Sequence, residues 1–493
     1  MKNTVQSLTA RPTEVPFAFS WSTCFVCALT IFPILFYVSQ IGRWSLDLDE
    51  IYTLRDSSES IGTILQYDKP IYYSLCHVAL KTPLTPEVAI RLPGAIAAGL
   101  IAPAFYWLGR RATHPQEAAI TSLLVATHPW IFQHSQFGRF YGTMLLCTSL
   151  AVLSLYRWLA DRRYRWIAAF GVASVLAILT HATAAAILPG AVVGVLGFFW
   201  TENRSETIAF LRRHLRFGGF SAAVLIAIAV LVVRKPFVDW FSAQHGQYGN
   251  YTIAALILGF VAFCGLQLWA LGMLPLLKTR AHWSGDDAFL AGMFVAMTVP
   301  FLVLAQFGGG VAPRYLMASA PLLFLLAGRH WAMVHSQLPS QRYQIAFAAA
   351  VMAATVPTFA STLKDGNHCD YRAAAQYVDS LSLDNAIVVA SAHQLLGHYL
   401  NDAYDLRELR MLDDLHRTPR DGASGTGGIL HAVVQEAGLT QRPLILVSRE
   451  DRRIRPPKVQ KWFNERFAML ARFEQPRFDH RRNEMVVYEY RPR

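Results

Sequence analysis

Charge is scarce in this chain. Only 16% of its 493 residues are Asp, Glu, Lys or Arg, against about a quarter in an average soluble domain. A large soluble enzyme with buried helices would interleave charges far more often. Cysteine is scarce as well. Of the six present, Cys24 and Cys27 sit inside the first apolar block, and no His or Cys pair elsewhere completes a zinc-ligand spacing. They read as packing residues, with a Cys76–Cys369 disulfide the one pairing the topology below allows. Acidic residues are almost absent from the middle of the apolar blocks, and no obvious internal repeat is visible. Both absences weigh against a transporter or lipid flippase, which places ionisable groups in mid-span and builds on repeated broken helices.

What is present is apolar surface in long blocks: 53% of the residues are hydrophobic. At about 20 residues per membrane crossing, the blocks supply about eleven spans, at 22–41, 88–108, 117–133, 137–159, 166–181, 183–200, 218–234, 252–275, 287–306, 314–334 and 343–361. The first follows Lys2 and Arg11 like a signal peptide, but its length and the lack of a small-residue cleavage site fit a retained helix. The expected fold is therefore a polytopic α-helical membrane protein, 1–361, followed by a small extramembrane α/β domain, 362–493.

Net charge is +12, which invites a nucleic-acid partner. The distribution argues for none. Residues 1–361 hold 25 Lys+Arg against 15 Asp+Glu, and 362–493 hold 20 against 18. Most of the excess falls in alternate loops: Arg110 and Arg111; Arg157, Arg162, Arg163 and Arg165; Arg204, Arg212, Arg213 and Arg216; Lys278 and Arg280; Arg342. Positive charge on alternate loops fixes orientation. It places the N-terminus in the cytoplasm and, with an odd number of spans, the tail outside. In that tail, 371–381 reads as a helix, ILHAVVQEAG after the Gly-rich turn 422–428 as another, and 385–391, 442–448 and 484–490 as strands. It shows no nucleotide-binding Gly motif.

The outer loop 42–87 is too polar to span and too aromatic for a plain linker. Six of the acids of 1–361 fall between residues 47 and 68: Asp47, Asp49, Glu50, Asp56, Glu59 and Asp68. Asp49-Glu50 lies just beyond the first span, and Asp68-Lys69-Pro70 runs straight into Ile71-Tyr72-Tyr73. Carboxylates held next to apolar surface at a membrane boundary are costly to desolvate and mark function. Cations recur at the same level: Arg91, Arg139 in Gln136-Phe-Gly-Arg139-Phe-Tyr141, Arg314-Tyr315, and His181 at the end of the fifth span. Singly, each Arg could be an interfacial anchor. Together they fit an anion held at the interface, and a polyprenyl phosphate has that chemistry.

These residues resemble a family. Leu46-Asp47-Leu48-Asp49-Glu50 is similar to the Asp-Glu motif in the first outer loop of the GT-C glycosyltransferases, nearest to protein O-mannosyltransferase-like enzymes and the aminoarabinose and core-galacturonosyl transferases of lipopolysaccharide. Asp68-Lys69-Pro70-Ile71-Tyr72-Tyr73 resembles their acidic-x-Pro-Pro-Leu-Tyr-Tyr element, with Ile71 in place of the second proline. Gln136 to Tyr141 resembles an Arg-x-Tyr element. Thr180-His181, Arg314-Tyr315-Leu316 with Pro321, and Asp370-Tyr371-Arg372 resemble further recurring segments.

The resemblance implies transfer of a hexosyl or pentosyl group from a polyprenyl-phosphate donor to a lipid, glycan or protein acceptor, with inversion. A carboxylate beside the acceptor takes its proton, and cations stabilise the departing phosphate. Asp49 is the implied base, with Glu50 or Asp47 in reserve. Lys69, Arg139 and Arg314 would hold the phosphate. Tyr72 and Tyr141 would pack near the sugar or prenyl chain, and His181 and Tyr315 would join the substrate-binding residues. Asp68 would orient the acceptor or hold a divalent cation, Mg²⁺ or Mn²⁺. The expected location is a Gram-negative inner membrane, crossed many times by the chain, with the C-terminal domain in the periplasm. A polytopic transporter or lipid flippase is the alternative.

Overall fold

The computed structural model describes residues 19–205, 252–264, 283–306, 311–338, 340–353, 369–390, 392–401, 403–408, 427–450, 464–473 and 484–491, with a few isolated positions besides. Among the described residues, five helices are long and apolar enough to cross a membrane: Pro86–Gly109, Tyr141–Asp161, Ala182–Glu202, Gly285–Ala305 and Pro313–Val334. Shorter apolar stretches at Cys27–Val38 and Tyr164–Thr180 accompany them. The expected span 218–234 lies outside the described residues. Of 252–275 the structure describes helix Ile253–Cys264, and of 343–361 helix Gln341–Ala353.

One expected span is broken in two. The block 117–133 forms α6 (Pro115–Ala126) and α7 (Pro129–Ser135), because Pro129 pushes His128 into extended backbone (φ −80°, ψ 117°) and starts the second helix at its first position. Cys76 and Cys369 are free thiols, so the disulfide pairing does not form.

The loop 42–87 is helical. Helix α2 (Leu48–Ser58) starts from a capping box, α3 (Ile61–Ile64) from Ser60, and α4 (Pro70–Leu80) from a proline in its first turn. Helices α5 (Pro86–Gly109) and α8 (Tyr141–Asp161) cross closely at glycines. A Cβ on Gly142 would run into the Gly94 carbonyl. Helix α9 (Tyr164–Thr180) returns to His181.

Beyond residue 369 the chain forms a mixed five-stranded sheet of order β2-β1-β3-β5-β4, where β1 is Ile387–Ala390, β2 Asp405–Glu408, β3 Leu444–Glu450, β4 Phe467–Phe473 and β5 Glu484–Tyr490. β1 runs parallel to β2 and β3, while β5 runs antiparallel to β3 and β4. All four residues of β1 are buried, as expected of a strand covered on both faces.

The end of helix Phe19–Val38, the start of α5, residues 136–140, His181 and the start of Pro313–Val334 meet at one end of the bundle: Arg91 reaches the Ile41 carbonyl, the Gly138 amide reaches Glu50, and Phe140 stacks on His181, itself stacked on Tyr315. The tail docks there too: Ser45 Oγ donates to the Cys369 carbonyl at 2.7 Å.

Candidate active site

The site grows from the first turn of α2. Asp47 is its N-cap, accepting from the Asp49 amide at 3.3 Å, while Glu50 Oε2 accepts from the Asp47 amide at 2.9 Å. The pair satisfies two orphan amides reciprocally. Glu50 is also fully buried. Arg91 of α5 donates Nε to its Oε1 at 2.7 Å and Nη2 to its Oε2 at 2.6 Å, and the Gly138 amide donates to Oε1 at 2.5 Å. The remaining Arg91 protons go to the carbonyls of Ile41, Trp44 and Ser45. Arg91 is thus committed to Glu50 and the chain preceding it, and is not a surface cation awaiting an anion. Neither Glu50 nor Asp47 presents an uncommitted carboxylate as a reserve base would.

Asp49 points elsewhere. Its side chain is 29% exposed, and its Oδ2 lies 3.8 Å from Arg139 Nη2. Arg139 Nη1 donates to the Asp49 carbonyl at 3.0 Å and approaches Thr53 Oγ1 at 3.5 Å. Arg139 Nε is buried with no hydrogen-bond partner. Burial works against the Arg139 charge, but Asp49 together with Tyr141 and Tyr73 outweighs it and holds the pKa above the ordinary guanidinium value.

Lys69 and Arg139 converge on the Phe140 ring, at 5.8 and 5.6 Å from its centroid. Lys69 also stands 5.7 Å from the Tyr73 ring and pairs with Asp68. Burial lowers the Lys69 pKa; Asp68 opposes this and the Arg139 charge reinforces it. Phe140 also carries His181, stacked at 3.9 Å, which in turn stacks on Tyr315 at 6.1 Å. Arg314 lies over the Tyr315 ring at 5.7 Å. His181 is held well below its ordinary pKa, first by burial and then by the charges of Lys69, Arg139 and Arg314. Its Nδ1 accepts from the Thr183 amide at 3.3 Å.

The structure therefore brings together Asp49, Lys69, Arg139, His181, Arg314 and Tyr315. Tyr141 is buried among Phe140, Phe137 and His134. Tyr72 lies apart: it is fully buried and its phenol donates to the Ile90 carbonyl at 2.7 Å, so it packs α4 on α5 rather than facing a sugar. Sequence reasoning missed Phe140, which lies between Arg139 and Tyr141 and organises the cations. Asp68 stays 43% exposed beside Lys69. Among the described residues, no three His, Cys, Asp or Glu side chains gather as metal ligands would. The donor set around Asp68 does not fit the expected cation.

The arrangement resembles known proteins. The dolichyl-phosphate-mannose-protein mannosyltransferase family matches residues 75–240, less than half of the chain. No curated protein matches at the sequence level. Among solved structures, ArnT from Cupriavidus metallidurans bound to undecaprenyl phosphate shares 15% identity and a TM-score of 0.52, covering 97% of this chain and 100% of its own. The Archaeoglobus fulgidus oligosaccharyltransferase in its apo form shares 12% identity and a TM-score of 0.55, covering 88% of this chain and 70% of its own. The fold of this chain is that of these two structures.

Proposed function

We propose that this chain is a membrane glycosyltransferase that moves a sugar from a polyprenyl-phosphate donor to an envelope acceptor, with inversion at the anomeric carbon. The observation that carries this reading is the juxtaposition of Asp49 with Arg139, 3.8 Å apart, beside the buried Lys69 and the half-buried Arg314. The neighbours support it: ArnT was solved with undecaprenyl phosphate, and the oligosaccharyltransferase was also solved tethered to an acceptor peptide.

In this reading the acceptor oxygen or nitrogen bonds to the anomeric carbon from the face opposite the phosphate. The carbon–oxygen bond to phosphate breaks, and its electron pair leaves with the phosphate. Asp49 takes the acceptor proton. Lys69, Arg139 and Arg314 neutralise the departing anion in a site largely shielded from water, where such charges act most strongly. Glu50 and Arg91 hold the turn that carries Asp49. No step is assigned to a metal.

The charges sit at helix ends on one side of the bundle, as suits a lipid phosphate at the interface, and not midway along the helices as suits a transporter. The membrane domain, residues 1–361, carries the site, and 362–493 stands over it on the periplasmic side of an inner membrane. Glycan and lipid profiling of a deletion strain tests the function: loss of one sugar from a lipid, lipopolysaccharide or protein supports it and identifies the acceptor, whereas an unchanged profile overturns it.

A further inference from the structure

The segment preceding α2 is not helical, and two more distant parts of the chain hold it. From below, Arg91 takes the carbonyls of Ile41, Trp44 and Ser45. From above, the C-terminal region makes two contacts. Tyr399, the last residue of helix His393–Tyr399, accepts the Leu46 amide on its phenol oxygen at 2.8 Å. The Cys369 carbonyl accepts from Ser45 Oγ at 2.7 Å. Leu46 is fully buried, so its amide relies on the Tyr399 phenol as acceptor. The Tyr399 ring is itself fixed by Arg372, whose guanidinium lies 5.4 Å from the ring centroid and donates Nη2 to Glu87 at 2.6 Å. Glu87 lies in the first turn of α5, one turn before Arg91. α5 thus grips residues 41, 44 and 45 and the C-terminal region residues 45 and 46, immediately before the capping box that aims Asp49.

We propose that Tyr399 is a positioning residue for the Asp49 carboxylate, through which the C-terminal domain completes the active site. The inference rests on the transferase reading above. Replacing the phenol leaves a buried amide without an acceptor one residue before the N-cap of α2. The turn then relaxes, and the distance from Asp49 to the acceptor changes while the donor's cations stay in place. A misplacement of about 1 Å costs up to about a hundredfold in rate.

The test uses the full chain in membrane vesicles that contain their native polyprenyl-linked sugars. Turnover is read as undecaprenyl phosphate released per binding site, with sites counted by undecaprenyl phosphate binding to the purified protein. Tyr399→Phe keeps the ring over Arg372 and removes the acceptor. Tyr404→Phe removes a comparable phenol contact within the tail, to the Val378 carbonyl at 3.2 Å, far from Leu46. The expected result is a roughly ten- to hundredfold fall in turnover per site for Tyr399→Phe, with unchanged lipid affinity and site number, and no change for Tyr404→Phe. Unchanged turnover for Tyr399→Phe overturns the proposal. So does a loss of binding sites in step with turnover, which marks a residue that only supports folding. Wild-type vesicles that release no undecaprenyl phosphate overturn the transferase reading itself, and this inference with it.

Discussion

Arg139 holds Asp49 twice, by its backbone carbonyl at 3.0 Å and by its carboxylate at 3.8 Å. The carboxylate contact is longer than a good hydrogen bond, and the backbone contact is not. The geometry fixes where Asp49 starts while leaving its side chain able to turn toward an acceptor. Asp49→Asn keeps the shape and the backbone contact but cannot take a proton. It is expected to lower transfer by about 10²–10⁴-fold while expression and membrane insertion stay near wild type. Radiolabel transfer in vesicles checks this, and substantial activity in the variant removes Asp49 as the base.

Lys69 is proposed to serve the other reactant, the donor. Its ammonium and the Arg139 guanidinium share the Phe140 ring, so an anion bound there meets both charges. Lys69→Ala should raise the KM for the polyprenyl donor roughly tenfold or more and leave the acceptor KM near its wild-type value. An equal effect on both substrates would place Lys69 outside the phosphate site.

The same lysine predicts a pH dependence. Burial depresses its pKa, with Arg139 adding to the effect. The charged form therefore exists below the depressed value and is lost as pH rises through it, earlier than for a solvated lysine. Donor affinity should weaken toward alkaline pH in the wild type. In Lys69→Arg, whose guanidinium stays charged, that alkaline loss should move to higher pH. A donor-binding curve that falls at the same pH in both chains rules Lys69 out as the titrating group.

Much of this was written in the sequence, and the rest was hidden for definite reasons. The long apolar blocks gave helices because a stretch of such length leaves its backbone nowhere else to hydrogen-bond. Strands β1, β3 and β5 fall within a few residues of their expected places. β2 and β4 were missed because both are sheet edges: β2 reads Asp-Leu-Arg-Glu, and the pattern of β4 is mostly half-exposed. The role of Glu50 could have been read from Asp47-x-x-Glu50, the spacing of a capping box ahead of a helix. Its partner Arg91 lies 41 positions away, and no local pattern announces that pairing. Tyr72 and Tyr73 looked alike in sequence. Adjacent helical positions diverge by about 100°, so Tyr72 turns into α5 while Tyr73 meets Lys69.

The Glu50–Arg91 pair gives the sharpest separation of structure from chemistry. Both side chains are completely buried, and each satisfies the other together with a ring of backbone groups. Removing one partner leaves an uncompensated charge in a low-dielectric interior, which costs about 3–5 kcal/mol. Glu50→Ala should therefore lower the thermal midpoint in detergent and the yield of inserted protein, unlike Asp49→Asn. The neighbouring Gly138→Ala should act in the same way but more weakly, because its Cβ would stand 2.9 Å from Glu50 Oε1 and 2.8 Å from Ile90 Cδ1. Overpacking of this kind costs about 1–3 kcal/mol. Thermal unfolding followed by size-exclusion chromatography compares the three variants directly. A Glu50→Ala protein as stable as wild type but inactive would return Glu50 to the list of candidate bases.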